Sequence, residues 1–498
     1  MQRREFLSAP AAAALLQRPD TLAVDPKPLF EVSPWLYMQF MEPLGVTDSS
    51  VEAAWDYDRD DWRQSFVEAT RDLGPQVLRW GGLYSRYYRW REGTGPPAQR
   101  PWMRNYVWGG KETNRVGTPE FADLCRRVSA QPLMCVNFLS DGAARFRTTR
   151  EGDRTADAKE AADWVSYAND PSDKLRRAHG ASEPYDIRLW QIGNETSYGN
   201  ATFMRDEAIT HTIEFARAMR ARDPNIQLIA WGDRGSEGFW APDMVQRAGE
   251  HIDMVAFHMM GQSPQRQDTI LRGLRYQREP ERAWQELLEL ADRQQSRLNA
   301  MIDAAGPRMP VAITEGHLSL PPHNANPLLL EWLSAPYHAR SLNAYLRRGD
   351  RVKIATIADF EGNRWTVNAM LLQVPGGACY LTPAGAIARL FRRHTGTHGV
   401  AVSRTPAGLD VAATRAGKRV SLLIVNTEYR RTVEARFAVQ GAAIAGGRVF
   451  QIAPADLRTA VPSDQPDVFR PVESALPPGA AWQFPPGAVA AVELETTE

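Results

Sequence analysis

The stretch RLWQIGNETSYGN, residues 188–200, is a short apolar run that stops in polar residues. Leu189, Trp190 and Ile192 read as a core β-strand with Asn194 and Glu195 at its tip. A carboxylate is costly to take out of water. A glutamate at the end of a core strand therefore points to a fold that uses strand ends for chemistry.

Other runs of the same texture flank it: WLYMQFME (35–42), QVLRWGG (76–82), PLMCVNF (132–138), NIQLIAWG (225–232), MVAFHMM (254–260), PVAITEG (310–316) and VKIATIAD (352–359). Short continuous apolar runs are the mark of parallel strands covered on both faces. Helical patterns separate them, such as DDWRQSFVEATRDLG closing on Gly74 and PEFADLCRRVSA opening on Pro119. Eight strands alternating with helices predict an α/β fold, a (β/α)8 TIM barrel. A doubly wound open sheet is the rival, but no GxGxxG follows the first strand. After about residue 397 the sequence alternates polar and apolar residues with frequent turn signals, which predicts a C-terminal antiparallel β-sandwich. The expected organisation is an export signal over 1–24, a catalytic barrel over 25–397 and a sandwich over 398–498, joined by a strand from 22–33.

The bulk composition narrows the function. The 498 residues hold 59 Lys+Arg and 59 Asp+Glu, and this balance gives no support to nucleic-acid or membrane-surface binding. Cys125, Cys135 and Cys379 form neither a disulfide framework nor a metal cluster and read as small packed residues. MQRREFLSAPAAAALLQ carries Arg3-Arg4 before a short apolar run, too short to span a bilayer. It resembles a twin-arginine export signal, so a periplasmic or secreted location is expected.

In a barrel, chemistry sits at the C-terminal strand ends. The exits carry Glu42, Arg79, Asn137, Asn194-Glu195, His258, Thr314-Glu315, and Asp359 with Glu361. Glu195 and Glu315, on the fourth and seventh strands, face each other across the mouth. Two carboxyls flanking one bond are what glycosidic cleavage needs, and a separation of about 5–5.5 Å makes the reaction retaining. The bland alternative for each glutamate is a structural ion pair.

WQIGNE resembles the acid/base signature of the clan A glycoside hydrolases. FMEPLG, VEATRDLGPQVLRWGG, NRVGTPEFADLC, VNF, AADWVSYANDP and ASEPYDIRLWQIGNE together resemble family 51, the α-L-arabinofuranosidases. The likeness runs from about residue 31 to 260 and is weaker from 300 to 400. It implies Glu195 as acid/base, Glu315 as nucleophile, Asn194 on the hydroxyl beside the reacting carbon, Glu42 on sugar hydroxyls and Asn137 lining the pocket. For Glu42 the alternative is a strand-end ion pair, and for Asn137 a loop cap. Family members are often hexameric, and oligomerisation stays open.

The sequence departs from the family at three places. The Asn usual after the two glycines of the second strand is Leu83, followed by Tyr84; the usual His-Tyr-Tyr is His258-Met259-Met260; the usual Asp-Glu-Trp-Asn is Thr314-Glu315-Gly316-His317. Gly316 is expected to open space beside the nucleophile, and the substrate-binding subsites to be altered. His258 and His317 are candidates to contact the sugar or tune Glu315, or else to pack and cap. Arg79 is a candidate to hold Glu315 ionised. Tyr84, Tyr87, Tyr88 and Trp90 either stack on sugar or pack their loop. No metal or cofactor spacing is present. The expectation is a retaining glycoside hydrolase acting on pentofuranosides in an oligosaccharide or polysaccharide, with no nucleic-acid partner and no membrane span. A non-catalytic carbohydrate-binding protein, or a retaining xylosidase or glucanase, is the alternative.

Overall fold

In a computed structural model, residues 20–199, 201–462 and 464–497 are described. Eight parallel strands form one sheet in chain order: β1 Met38–Met41, β2 Val77–Trp80, β3 Gln131–Val136, β4 Leu189–Ile192, β5 Gln227–Trp231, β6 Met254–Gln262, β7 Val311–Ser319 and β8 Val352–Ile354. Met38 N donates to Ala355 O (2.9 Å) and Ala355 N to Leu36 O (2.8 Å). These bonds join the first strand to the segment after the last and bring the sheet round into a barrel. Every residue of β1, β2 and β4 is buried, as parallel strands covered on both faces require.

The principal helix after each strand is where the periodicity predicts it: α1 Gln64–Leu73, α2 Thr118–Val128, α3 Ala158–Asn169, α4 Arg205–Arg220, α5 Ala241–Ala248, α6 Pro280–Ala304, α7 Ala335–Arg347 and α8 Pro383–His394. α1 stops because Gly74 turns left-handed (φ +70°) and its N–H caps Thr70 O. α7 starts later than the apolar run LLLEWLS suggests. Pro336 belongs in a first helical turn, so the residues before it form short 3-10 turns instead. No helix among the described residues is long and apolar enough to cross a membrane.

Beyond α8 lies an antiparallel-rich sheet of nine strands. Residues from strands far apart in it, Val449 and Leu476 near one edge and Phe484 and Ala435 near the other, share one buried cluster, so the sheet closes over on itself. The strand Thr21–Glu31 belongs here. It runs antiparallel to His398–Arg404 and parallel to Val433–Val439, filling the gap between them. Thr21–Val24, inside the range expected of an export signal, are therefore sheet residues; Leu22 and Val24 are fully buried. The apolar alternation that extends a signal also fits a strand, and here it serves the strand. The twin-arginine segment itself lies outside the described residues.

Leu22→Ala should cost about 2–5 kcal/mol, because it empties a packed position between two strands that pair only through this segment. A lower urea midpoint measures it, and an unchanged midpoint contradicts this placement.

Candidate active site

β4 ends in the turn that the opening stretch raises. Gly193 (φ +79°) and Glu195 (φ +53°) are both left-handed. For a glutamate this costs roughly 1–3 kcal/mol, and it persists only where the surroundings impose it. Arg86 does so: its Nη2 donates to the carbonyls of both Asn194 and Glu195 (3.0 Å each). Arg86 is held in turn by Asp141 (3.1 Å), which also accepts from Thr196 (2.7 Å).

β7 brings Glu315 by a different device. Phe257 pairs with Ile313, but His258 pairs with Glu315, so Thr314 is an extra residue in the ladder. This bulge re-aims the chain and sets Glu315 beside His258. The freed Thr314 carbonyl accepts from Arg79 Nη1 at 3.3 Å. The same nitrogen donates to Glu315 Oε1 at 2.9 Å, Arg79 Nε to Gln191 Oε1 at 2.9 Å, and Nη2 to Asn194 Oδ1 at 2.5 Å. Arg79 is fully buried, and a neighbouring cation favours the ionised carboxylate.

His258 stands between the two glutamates. Its Nδ1 is 3.1 Å from Glu195 Oε1 and 3.5 Å from Glu315 Oε2. One oxygen of each glutamate and a ring nitrogen of His258 all lie within 4.8 Å of one another. Burial pushes the imidazole down to about 4, so it is neutral near pH 7. Burial also raises both carboxyls; Arg79 opposes this at Glu315, and Arg86 with Arg79 at Glu195. Only Glu315 has a guanidinium on its oxygen. Glu195 is therefore the better proton carrier and Glu315 the better anion. Glu42, at the end of β1, accepts from Tyr84 N (2.9 Å) and Trp108 Nε1 (3.0 Å). Burial, then Glu315, pushes it up to about 8, so it carries a proton near pH 7. Gly82 makes room for it, since a Cβ there would lie 2.1 Å from Glu42 Oε2.

The structure corrects three expectations. Asn137 spends both amide hydrogens on the carbonyls of Tyr88 and Arg154, and its oxygen accepts from Ser140 N; it ties a loop and offers no free donor to a sugar. Tyr84 is fully buried against Trp80 and Tyr88, so only its backbone N–H serves the site; Tyr87, Tyr88 and Trp90 are packed likewise. Gly316 opens nothing: its Cβ would point away from the mouth, 2.8 Å from Thr356 O and 3.5 Å from Met259 Cβ. Residues alternate along a strand, so 315 and 317 face the mouth and 316 faces the barrel wall. His317 is at the mouth, its Nδ1 2.5 Å from Asp359 Oδ1. Asn194 Nδ2 is buried without a partner and remains available to a ligand.

Other residues join the site without having been expected. Asp233, at the β5 exit, accepts from His258 N (3.0 Å) and Tyr198 OH (2.8 Å); a search of strand exits that included Gly232-Asp233 finds it. Trp108 and Trp365 meet edge to face at 5.4 Å beside Glu42, and His323 packs on Trp365. Both tryptophans come from loops. Asp48 organises the second loop by accepting from Arg364 N (2.6 Å), Trp365 N (2.9 Å) and Asn368 Nδ2 (2.7 Å).

Glu195, His258 and Glu315 are spaced closely enough to hold an ion. Arg79 already supplies the positive charge on Glu315, so an ion there would have to displace or face a buried guanidinium. Arg79→Met should remove the cation that favours ionised Glu315. The acid limb of the pH–rate profile should then move to higher pH, because a carboxyl with a higher pKa ionises later. Activity at neutral pH should fall at least tenfold. An unmoved limb in a folded variant contradicts the assignment.

The family model described as Alpha-L-arabinofuranosidase 1 domain matches residues 69–278. A protein named "Probable alpha-L-arabinofuranosidase C" from Aspergillus fumigatus is 32% identical over 219 residues, 41% of this chain and 40% of its own length. The "Intracellular exo-alpha-(1->5)-L-arabinofuranosidase" of Acetivibrio thermocellus is 29% identical over 244 residues, 46% of this chain and 45% of its own. The chain thus spans less than half the length of these curated relatives. The fold matches the GH51 α-L-arabinofuranosidase of Thermotoga petrophila with a TM-score of 0.75 at 24% identity, over 95% of this chain and 100% of that one. The segment 69–278 is thus similar to α-L-arabinofuranosidases in sequence, and the barrel with its C-terminal sheet is similar to a GH51 α-L-arabinofuranosidase in fold.

Proposed function

We propose that the protein is a retaining glycoside hydrolase acting on α-L-arabinofuranosides by double displacement. The observation that carries this reading is the pair of carboxyl groups, Glu195 and Glu315, with oxygens within 4.8 Å over one barrel mouth and an arginine on one of them alone. That spacing fits the retaining geometry, in which the two groups are about 5–5.5 Å apart. Glu315 Oε2 attacks the anomeric carbon while Arg79 holds Oε1. Glu195 gives its proton to the departing oxygen, then takes one from the water that releases the sugar. Neutral His258 bridges both carboxyls and adds no charge. Asn194 Nδ2 and protonated Glu42 supply donors for sugar hydroxyls, and Trp108 with Trp365 forms an apolar wall beside Glu42. The names of the matched relatives support arabinofuranose as the sugar. Arg3-Arg4 and the following apolar run support export by a twin-arginine route.

The test is turnover of 4-nitrophenyl α-L-arabinofuranoside with the first-formed anomer followed by NMR. Retention is expected, and inversion refutes the mechanism. Glu195→Ala should lower kcat/KM by about 10²–10⁴-fold for poor leaving groups. Azide should partly restore it with an activated aryl glycoside, as a retained glycosyl azide. Glu315→Ala should abolish turnover while sugar binding survives in calorimetry.

A further inference from the structure

Past the nucleophile, β7 carries His317 on the same face as Glu315, roughly 6–7 Å further toward the outside of the mouth at ordinary strand rise. Its neighbour in register on β6 is Met260. At this level of the mouth β6 offers a thioether and β7 an imidazole. Asp359 fixes the imidazole by its bond to Nδ1. Among the described residues Nε2 has no hydrogen-bond partner, and the side chain is 12% exposed.

We propose that His317, oriented by Asp359, is a specificity-determining residue that donates from Nε2 to a hydroxyl of the leaving pentose. The inference rests on the retaining arabinofuranosidase reading above. Geometry favours the leaving sugar over the attacked one: the attacked carbon lies at Glu315, and His317 is a sugar's width further out. Asp359 also determines which way the proton points. Burial works against charge on His317, but Asp359, with Glu315 and Glu195 beyond it, outweighs burial and favours the imidazolium. A neutral ring that gives its one proton to Asp359 would present Nε2 as an acceptor; the imidazolium presents it as a donor.

The experiment compares kcat/KM of wild type, His317→Ala, His317→Gln and Asp359→Asn on α-1,5-arabinobiose and on 4-nitrophenyl α-L-arabinofuranoside, whose leaving group has no sugar hydroxyl. The alanine variant should lose at least tenfold more on the disaccharide than on the aryl glycoside, chiefly through KM. The glutamine variant, which restores a donor, should recover part of that difference, and Asp359→Asn should fall between. Equal losses on both substrates, no loss on either, or a glutamine variant no better than alanine overturns the inference. So does a wild type that cleaves the aryl glycoside but not arabinobiose. A wild type that cleaves neither refutes the arabinofuranosidase reading itself, and this inference with it.

Discussion

One buried guanidinium organises the centre of this barrel. Arg79 leaves β2 inside the cylinder and reaches Gln191 on β4, Asn194 past its end, and both the Thr314 carbonyl and the Glu315 carboxylate on β7. An apolar residue of like volume would often serve stability as well, since desolvating an ion pair offsets much of its attraction. The pair is tolerable because the hydrogen bonds of the guanidinium are nearly all made by groups the fold holds still. Gly81 shows how tight the fit is: a Cβ there would lie 2.6 Å from Cys135 Cβ and 3.0 Å from Arg79 Cζ. The glycine of the second strand exit is the room the arginine needs to turn.

From that cation follows the division of labour among the carboxyls. Burial pushes Glu42, Glu195 and Glu315 in the same direction, toward the neutral acid. A mouth with three carboxylates and one guanidinium would repel itself. Direct contact with Arg79 selects Glu315 as the anion, and its negative charge in turn helps keep Glu42 protonated. Glu195 is presented by strain rather than by an ion pair: its left-handed backbone is pinned through its own carbonyl by Arg86, so its carboxyl stays free to exchange a proton. Glu195 and Glu315 thus differ less in depth than in which atom an arginine holds.

The strands and helices of the barrel were legible because each obeys a period that burial enforces. The two glutamates were legible because a carboxylate at the tip of an apolar strand has no cheap structural excuse. What escaped lies where no period operates. Asn137 and Tyr84 stand just past strand ends, and whether such a side chain meets a substrate or a loop carbonyl depends on turns that the one-dimensional pattern does not encode. Trp108 and Trp365 come from loops, positioned by Glu42 and by Asp48, contacts 66 and 317 residues apart in the chain. Gly316 was misread for a different reason. Its place between two mouth-facing residues, once strand alternation is applied, already turns it outward; the bulge at Thr314 conceals this by shifting the count by one.

That outward glycine bears on how the last strands of the barrel meet. β8 is only three residues long, and its ladder with β7 ends at Ala312 and Ile354. Beyond that point the two segments approach so closely that a Cβ at 316 would meet Thr356 O at 2.8 Å. A large side chain at 316 would wedge this seam open. The contact between His317 and Asp359 bridges the same seam one residue further out, on the mouth side. A closed seam brings Asp359 within reach of residue 317, where an imidazole has one nitrogen for the partner across the seam and one for the mouth. The glycine lets the last strands of the barrel close on one another, and the histidine spans the seam they make.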